Sequence, residues 1–303
     1  MKKLNEILEK AKKYGPKTVA VAASEDEVVL KAIDKAKKEG IINAILVGDV
    51  EKTKKLANEN NIDLSEYNLV DAKDYNDAAE KAVKLVVEKQ ADFVMKGKIK
   101  TGDLMRVVLK EEYGLRTGKT LSLVSIFETP LYHKLLVVSD AGMTIAPTLE
   151  QKVDLINNAV FVAKKAVGVE TPKVAILGAV EIVNPKMPAT IEAAILSQMN
   201  KRGQIKGCIV DGPFALDNAV SKEAAEHKGI VSDVAGDADV LIMPDIEAGN
   251  IFYKSMVFLG GAKVASAIVG AKVPVALTSR ADSDETKLLS LALTTLLAGD
   301  LNV

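Results

Sequence analysis

The sequence predicts an α/β fold with mainly parallel sheets, because short apolar runs alternate with helical segments along its 303 residues. Strand-like runs such as 18–23 and 44–47 are each followed by a segment with helical periodicity, which is the pattern of βαβ units. The chain is longer than a single core usually serves, and 48% of it is apolar. We therefore expect one large or two medium α/β domains.

The first third of the chain follows the strand–helix rhythm closely. After the strand at 18–23, the run S-E-D-E at 24–27 fits a capping box that opens a helix to about residue 38. The next predicted elements are a strand at 44–47, a helix at 52–60, a strand at 68–70, a helix at 75–88, a strand at 91–95 and a helix at 104–109. This order predicts a parallel sheet with helices on both faces.

The rest of the chain departs from this rhythm once. Predicted strands at 121–126 and 135–139 are so close in sequence that they suit antiparallel or mixed pairing. After them we predict helices at 146–167, 189–202, 218–228, 254–269 and 285–297, and strands at 173–177, 205–211, 240–243 and 273–277. No linker separates domains, so we place domain I at 1–126 plus 270–303 and domain II at 127–269.

Charge and cysteine content exclude several classes of protein. The net charge is -1, from 40 basic and 41 acidic residues, which gives no reason to expect nucleic acid or an anionic membrane as a partner. The single cysteine, Cys208, excludes an internal disulfide, and its apolar neighbours predict a buried, inert thiol. No apolar run reaches the ~18 residues of a membrane span and no signal peptide is evident, so we expect a cytoplasmic protein.

One candidate anion site lies in the segment G-K-I-K-T-G-D at 97–103. It resembles a P-loop only superficially, because Asp103 stands where the motif needs lysine. Nevertheless the segment follows a strand and opens a helix, and helix N-termini bind phosphate groups through their N–H groups. The candidate ligands of a phosphate group are therefore Lys98, Lys100, Thr101 and Arg106. The alternative is that the segment is only a solvated, lysine-rich loop.

A second candidate site follows the strand predicted at 273–277. Ser279 and Arg280 come directly after it, and the guanidinium fork of arginine matches phosphate oxygens, while serine can donate a hydrogen bond to an oxyanion. Asp284 and Glu285 follow, either as acid–base groups or only as favourable charges at a helix start.

The loop after the strand at 240–243 carries Asp245, Glu247 and Asn250. Two carboxylates could bind a metal, but no third ligand has suitable spacing, so we expect these side chains to shape a substrate cleft by hydrogen bonding. His133 and His227 stand apart, and neither has metal-ligand spacing with carboxylates or with another histidine, so we predict no metal site.

Several of these segments together resemble the phosphate acetyl/butyryltransferase family. The most specific match is P-D-I-E-A-G-N-I-F-Y-K at 244–254. The others, in chain order, are T-G-D-L-M-R at 101–106, P-T-L-E-Q at 147–151, D-G-P-F-A-L-D at 211–217, L-G-G-A at 259–262 and S-R at 279–280. The run T-S-R-A-D-S at 278–283, in place of the S-R-G-C-S of the acetyl enzymes, and the length of the chain are more similar to the butyryl branch of this family.

The resemblance implies reversible acyl transfer, in which acyl-CoA and inorganic phosphate give acyl phosphate and CoA. It implies two α/β/α domains like those of isocitrate and isopropylmalate dehydrogenases, with the cleft between them. It also implies a homo-oligomer of two or more subunits, and CoA as a substrate rather than a tightly bound cofactor.

The same resemblance implies roles for individual residues. Ser279 matches a serine that steadies the tetrahedral intermediate, Arg280 an arginine that holds phosphate, and Arg106 an arginine of the CoA site. Ser125 matches a further active-site serine. The acetyl enzymes carry an aspartate seven places after the catalytic serine, where this chain has Thr286. Asp284 or Glu285 would then be the base that deprotonates the CoA thiol.

Three alternatives remain open from the sequence. The enzyme could prefer acetyl groups, since a methylene contributes only ~1–3 kcal/mol to discrimination. It could be a decarboxylating dehydrogenase of the same fold, which would need a nicotinamide site and an aspartate cluster for a metal. It could also be a non-catalytic module that binds CoA or acyl phosphate, although Ser279 and Arg280 are both present.

Overall fold

The computed structural model describes residues 1–277 and 282–299. The chain forms two compact units, of which unit 1 comprises Met1–Leu4 and Lys119–Val264, and unit 2 comprises Asn5–Gly118 and Ala265–Val303. The domain boundaries predicted from the sequence are near 126 and 270. The chain thus enters unit 2 early, leaves it after residue 118 and returns to it after residue 264.

The strands and helices alternate over most of the chain. The strands are β1 (Lys17–Ala22), β2 (Ile42–Gly48), β3 (Asn68–Asp71), β4 (Phe93–Lys96), β5 (Ser122–Glu128), β6 (Leu136–Ser139), β7 (Lys173–Leu177), β8 (Ile209–Phe214), β9 (Val240–Ile242), β10 (Lys263–Val269) and β11 (Val275–Ala276). The helices are α1 (Leu4–Tyr14), α2 (Glu27–Lys38), α3 (Val50–Glu59), α4 (Tyr75–Val87), α5 (Thr101–Val108), α6 (Leu149–Val162), α7 (Pro188–Lys201), α8 (Leu216–Val220), α9 (Lys222–His227), α10 (Ile246–Phe258) and α11 (Asp284–Leu297). This alternation confirms the predicted α/β class.

Unit 2 contains strands in the order β3-β2-β1-β4-β11-β10. All neighbouring pairs are parallel except β10 and β11, which are antiparallel. The carboxyl ends of β1, β2, β4 and β11 therefore lie at one edge. The chain passes from β1 to β2 on one side and reaches β4 on the other, so a topological switch point lies between β1 and β4. Ligand sites of open α/β sheets occur at such points.

Unit 1 contains strands in the order β5-β6-β9-β7-β8. Strands β6, β9, β7 and β8 run parallel, while β5 is antiparallel to β6, with Ser125 opposite Val138. This confirms the antiparallel pairing predicted for the middle of the chain. The core includes Phe127, whose ring makes edge-to-face contacts with Phe252 and Tyr253 of α10 at centroid distances of 5.8 and 5.4 Å.

The sequence-based assignment of 254–269 as one helix is wrong. Helix α10 ends at Phe258, and the chain then turns through Gly260 and Gly261, of which Gly261 has a φ of +63°. The following run, Lys263–Val269, is strand β10, with six of its seven residues buried. An apolar run of this length fits a buried strand as well as a helix, and the paired glycines were the stop signal.

Two helix termini also differ from the predictions. Helix α2 is capped by Asp26, whose Oδ1 accepts hydrogen bonds from the N–H groups of Val28 and Val29 at 3.1 Å each, so 24–27 is not a capping box. Ser24 is instead buried beside Thr53, with 3.2 Å between the hydroxyl oxygens. The helix predicted at 218–228 is divided at Ser221, which caps α9 by accepting from the N–H of Ala224 at 3.2 Å.

Candidate active site

The loop after β4 is held against the end of β1 in unit 2. The N–H groups of Gly97 and Lys98 donate to the carbonyl oxygens of Ala22 and Ala23 at 2.9 and 2.8 Å. A Cβ atom at Gly97 would lie 2.1 Å from the Ala23 oxygen, so only glycine allows this approach. The buried ammonium of Lys96 supports the loop from within by donating to the Gly97 and Ile99 carbonyl oxygens at 3.1 and 3.3 Å.

This arrangement places two exposed lysines, Lys98 and Lys100, at the start of α5. Lys100 is the N-cap residue and makes no side-chain capping bond, while Thr101 and Gly102 form the first helical turn. Uncapped N–H groups next to two cations suit an anionic group such as a phosphate. The prediction that Lys98, Lys100 and Thr101 bind CoA is untested, but the local geometry supports it.

Arg106 lies on the same helix, and its side chain is 75% exposed. Its Nη1 atom donates to Asp103 Oδ1 at 2.9 Å, one turn earlier. An exposed pair of this kind contributes little free energy, about 0–1 kcal/mol, so a ligand can displace Asp103 at small cost. Its role in binding CoA remains a prediction.

Strand β11, which precedes the second candidate segment, ends at the same edge of the unit 2 sheet as β4. Ala276 pairs with Met95 in a parallel register, so the chain leaves β11 beside the loop that follows β4. Ser279 and Arg280 lie outside the described residues. The description resumes at Asp282, and α11 begins at Asp284.

The first turn of α11 carries the two carboxylates proposed as bases. Asp284 and Glu285 are both exposed. Ser283 is the N-cap, and its Oγ accepts from the Thr286 N–H and donates to Thr286 Oγ1, each at 3.1 Å. Thr286, which stands at the position of the family aspartate, is 9% exposed. It belongs to the helix cap because its N–H and its hydroxyl both bond to Ser283.

Lys287 was not singled out from the sequence, although it precedes the apolar run L-L-S-L-A-L. Its side chain is buried, and its ammonium donates to the carbonyl oxygen of Asp282. A lysine directly before an apolar helical run is the sequence signal that could have predicted this buried side chain.

In unit 1, the loop after β6 is organised by a buried carboxylate, Asp140. Its Oδ1 accepts from the N–H groups of Leu123, Gly142 and Met143 at 3.2, 2.9 and 3.1 Å, and its Oδ2 accepts from Thr144 at 2.9 Å. Burial raises the pKa of Asp140, while these four N–H groups oppose that rise. Because both oxygens are used for backbone contacts, Asp140 shapes the loop.

Helix α10 is fixed to that loop by the residues that the sequence assigned to a cleft. Asp245 caps the helix by accepting from the Ala248 N–H at 2.8 Å, and Asn250 Nδ2 donates to the Ala141 carbonyl at 3.1 Å. A Cβ atom at Gly249 would lie 2.1 Å from the Asp140 carbonyl oxygen. Glu247 is exposed. These bonds agree with a shaping role, while direct contact with substrate stays a prediction.

The remaining predicted site residue, Ser125, lies in the middle of β5 with no exposed surface. Its role as an active-site serine therefore remains a prediction.

Cys208 is buried, as expected, and burial raises its pKa to about 11. Over the described ranges, no three residues among His, Cys, Asp and Glu come close enough to hold a metal ion. Nor does any helix in those ranges have the length and apolar character to cross a membrane.

Comparisons with known proteins agree on one family. The family model described as "Phosphate acetyl/butaryl transferase" matches residues 3–85 and 72–295. The chain is 55% identical to a phosphate acetyltransferase of Thermotoga maritima, covering 97% of this chain and 99% of that protein. It is 50% identical to a phosphate butyryltransferase of Clostridium acetobutylicum, covering 99% of each.

A solved structure gives the same result for the fold. The crystal structure of a branched-chain phosphotransacylase from Enterococcus faecalis V583 superposes with a TM-score of 0.81 at 36% identity, covering 93% of this chain and 99% of that one. The fold class and the resemblance identified in the sequence are therefore both confirmed. The chain belongs to the phosphate acetyl/butyryltransferase family and is a phosphate acyltransferase, an enzyme class that uses CoA as a substrate.

Proposed function

We propose that this enzyme transfers a short acyl group, butyryl in preference to acetyl, between CoA and inorganic phosphate. The observation that carries the proposal is the pairing of β4 with β11, since these parallel strands end side by side. One leads to Lys98 and Lys100, and the other leads to Ser279 and Arg280. A cationic loop beside the end of a strand that leads to a serine–arginine pair suits two anionic substrates.

Chain connectivity supports this assignment. Ser279 is three residues beyond Ala276, a reach of at most about 11 Å, and Arg280 is two residues before Asp282, a reach of at most about 7 Å. The strand that precedes them, β11, ends beside the loop that follows β4. Orienting two substrates at one site can contribute ~7–11 kcal/mol to lowering the barrier.

The proposed reaction proceeds through a tetrahedral intermediate. A phosphate oxygen attacks the thioester carbon, the carbonyl oxygen becomes an oxyanion, and the C–S bond breaks to release the CoA thiolate, which then takes up a proton. Arg280 holds the phosphate, and Ser279 donates a hydrogen bond to the oxyanion. Lys98, Lys100, Thr101 and Arg106 bind the phosphate groups of CoA.

In the reverse direction the CoA thiol must lose its proton before sulfur attacks the acyl phosphate. Asp284 and Glu285 are the candidate bases, because both are exposed in the first turn of α11. A free thiol has a pKa of roughly 8.5, so part of the CoA is already thiolate at neutral pH. A dedicated base then adds a factor of only ~10² or so.

The preference for butyryl over acetyl rests on the sequence of 278–283 and on the butyryltransferase of C. acetobutylicum. One observation favours the acetyl alternative, namely the higher identity to the acetyltransferase of T. maritima. Butyryl exceeds acetyl by two methylenes, and each contributes ~1–3 kcal/mol to discrimination in an apolar pocket. The two preferences should thus differ by well over tenfold in kcat/KM.

The test is phosphate-dependent release of CoA thiol from acetyl-, propionyl-, butyryl- and longer acyl-CoA, followed with a thiol reagent. Cys208 will not interfere, because it is buried and its pKa is raised to about 11. A kcat/KM for butyryl-CoA at least tenfold above that for acetyl-CoA supports the proposal, and the reverse order selects the acetyl alternative. If phosphate releases no CoA from any of these substrates, acyl transfer is rejected.

We also propose that the protein is a cytoplasmic homo-oligomer, as the family resemblance implies and as its substrates, acyl-CoA and phosphate, favour. The end of helix α10 supports association with a second copy, because Ile251 and Phe258 of the helix are 67% and 64% exposed and Leu259, directly after it, is 87% exposed. Apolar side chains grouped at one helix are a common feature of subunit interfaces. Light scattering of the purified protein tests this directly, and a monomer at all concentrations would contradict it.

A further inference from the structure

Glu25 is a buried carboxylate that the described part of the chain leaves short of hydrogen-bond donors. The residue is 6% exposed and follows β1 at the carboxyl edge of the unit 2 sheet. Within residues 1–277 and 282–299 its carboxylate accepts one hydrogen bond, from the N–H of Asp49 to Oε2 at 3.4 Å, and Oε1 accepts none. Lys52 is close enough to be influenced by its charge, but the ion pair of Lys52, at 2.6 Å, is with Asp49.

The other buried carboxylate at a sheet edge, Asp140, is bonded quite differently. It is 3% exposed and accepts from four backbone N–H groups, as buried charges require. In the described ranges the fully enclosed side-chain atoms without a partner are Ser139 Oγ, Asn218 Oδ1 and Thr295 Oγ1. Glu25 Oε1 is not among them, so it stays open to solvent and to a donor that a ligand brings.

The fold makes room for the Glu25 carboxylate at two points. Gly48, the last residue of β2, lies so close that a Cβ atom there would be 2.2 Å from Glu25 Oε2. Ala23 has a φ of +62°, a conformation that is unfavourable for residues other than glycine and that is retained mainly at functional sites. The Ala23 carbonyl accepts from the N–H of Lys98 at 2.8 Å, so the turn that carries Glu25 is bonded to the cationic loop after β4.

The chemistry of the carboxylate limits what it can bind. A carboxylate accepts hydrogen bonds and donates none, so its ligand must present an O–H or N–H group, and it repels phosphate. The Cα atoms of Glu25 and Ala23 are at most about 7 Å apart, which places Glu25 close to the loop proposed to bind the phosphate groups of CoA. Close to those groups CoA carries two hydroxyl groups, one on the ribose and one on the pantoyl unit. Carboxylates at parallel sheet edges bind ribose hydroxyl groups in dinucleotide-binding folds.

We propose that Glu25 is a ligand-binding residue of the CoA site, which accepts a hydrogen bond from a CoA hydroxyl group close to the phosphate groups. The inference rests on the proposed function, because it takes the phosphate groups to lie at Lys98 and Lys100. Glu25 sets the affinity for CoA and takes no part in breaking or forming the acyl bond.

The test is Glu25→Met, which keeps the approximate length of the side chain and removes both oxygens. We expect KM for acyl-CoA and Kd for free CoA to rise ~10- to 100-fold, because hydrogen bonds to charged groups are among the stronger ones. The value of kcat should change less than about threefold, since the contact is made equally before and during acyl transfer. The melting temperature should stay the same or rise, because a poorly bonded buried charge has been removed.

A matched control is Asp49→Asn at the same edge of the sheet. It also removes one negative charge, while asparagine caps a helix about as well as aspartate. Loss of a negative charge near a phosphate site should by itself strengthen CoA binding or leave it unchanged. Weaker binding in Glu25→Met is therefore opposite in sign to the general electrostatic effect, and it reports the lost contact.

A second variant, Gly48→Ala, displaces the carboxylate without changing the charge. The new Cβ atom would meet Glu25 Oε2 at 2.2 Å, so the side chain must move away from its present position. We expect KM for acyl-CoA to rise in this variant as well. A rise in both variants, with none in Asp49→Asn, identifies the position of the carboxylate as the cause.

Two fragments of CoA distinguish the two hydroxyl groups. Adenosine 3′,5′-bisphosphate carries the ribose hydroxyl without the pantoyl unit, and butyryl-pantetheine carries the pantoyl hydroxyl without the ribose. If Glu25→Met weakens calorimetric binding of the bisphosphate as much as that of CoA, the ribose hydroxyl is the donor. If it instead raises KM for butyryl-pantetheine, the pantoyl hydroxyl is the donor.

The possible outcomes are distinct. Weaker CoA binding at an unchanged or higher melting temperature supports the inference. Wild-type KM and Kd in Glu25→Met overturn it while leaving acyl transfer intact. A fall in melting temperature that accompanies the weaker binding also overturns it, because the carboxylate then serves the fold. Failure of the wild-type chain to release CoA with phosphate from any acyl-CoA rejects the proposed function, whereas the Kd of free CoA tests the Glu25 contact separately.

Discussion

Substitution of Gly97 by alanine should damage CoA binding and stability together. The new Cβ atom would lie 2.1 Å from the Ala23 carbonyl oxygen and 2.6 Å from that of Ala22, both parts of the backbone. Ordinary contact begins at 3.4 Å, so the loop must move by roughly 3.4 − 2.1 = 1.3 Å. The N–H bonds that Gly97 and Lys98 donate to β1 would be stretched or lost.

The expected size of the effect follows from these two bonds. Leaving a buried backbone group unpaired costs about 1–3 kcal/mol, so the loss of both bonds in Gly97→Ala should lower the free energy of unfolding by about 2–6 kcal/mol. The same shift moves Lys98, Lys100 and the first turn of α5 by about 1 Å. We expect KM for acyl-CoA to rise ~10- to 100-fold.

The assay combines steady-state kinetics at saturating phosphate with urea unfolding. Gly102→Ala is the stability control, because a Cβ atom at this helical position meets nothing within 4 Å. Alanine there should stabilise by about 0.5–1 kcal/mol. If Gly97→Ala shows wild-type KM for acyl-CoA and wild-type unfolding, the loop does not depend on this close approach, and the assignment of the CoA site is refuted.

Three further predictions follow from the site and its scaffold. Arg280→Ala should lower kcat/KM at least ~100-fold through lost phosphate binding, and near-normal kinetics would remove its assigned role. Asp237 forms ion pairs with Lys134 and Lys173, which hold its carboxyl pKa well below its usual range. These ion pairs stabilise the folded state above the unfolded-state pKa of about 4, and this stabilisation is lost as the pH falls through the folded-state pKa. Asp237→Asn should therefore lower the melting temperature at pH 7 but progressively less below pH 4, and a pH-independent difference would contradict this. Phe258→Glu on α10 should shift light scattering toward monomer, whereas an unchanged mass excludes this face from the interface.

Much of the fold was predictable because hydrophobic periodicity is a local property. The alternation of strands and helices up to β4, and the antiparallel pair β5 and β6, were predicted from spacing alone. The run 263–269 was assigned wrongly because a buried strand and a buried helix segment have the same composition. The Asp26 cap was missed because Ser24 offered an equally good local motif.

The candidate site was predictable only in part, for a different reason. Lys98, Lys100 and Arg106 stand out because charges at a strand–helix junction are visible in the sequence. Asp140 and Lys287 do not, since their significance depends on which backbone groups the fold brings to them. Neither the four N–H donors around Asp140 nor the carbonyl bound by Lys287 could be inferred from spacing.

The discontinuous course of the chain has a consequence for biosynthesis. All strands of the unit 1 sheet, β5 to β9, leave the ribosome before β10 and β11, which complete the unit 2 sheet. Strand β4 is therefore made early, and it lacks its partner β11 until some 180 further residues, from Lys96 to Val275, have been made. A nascent polypeptide with such an open sheet edge is prone to non-native pairing. Synthesis of β11 thus provides the partner that closes this edge of unit 2, and the serine–arginine segment is made directly after it.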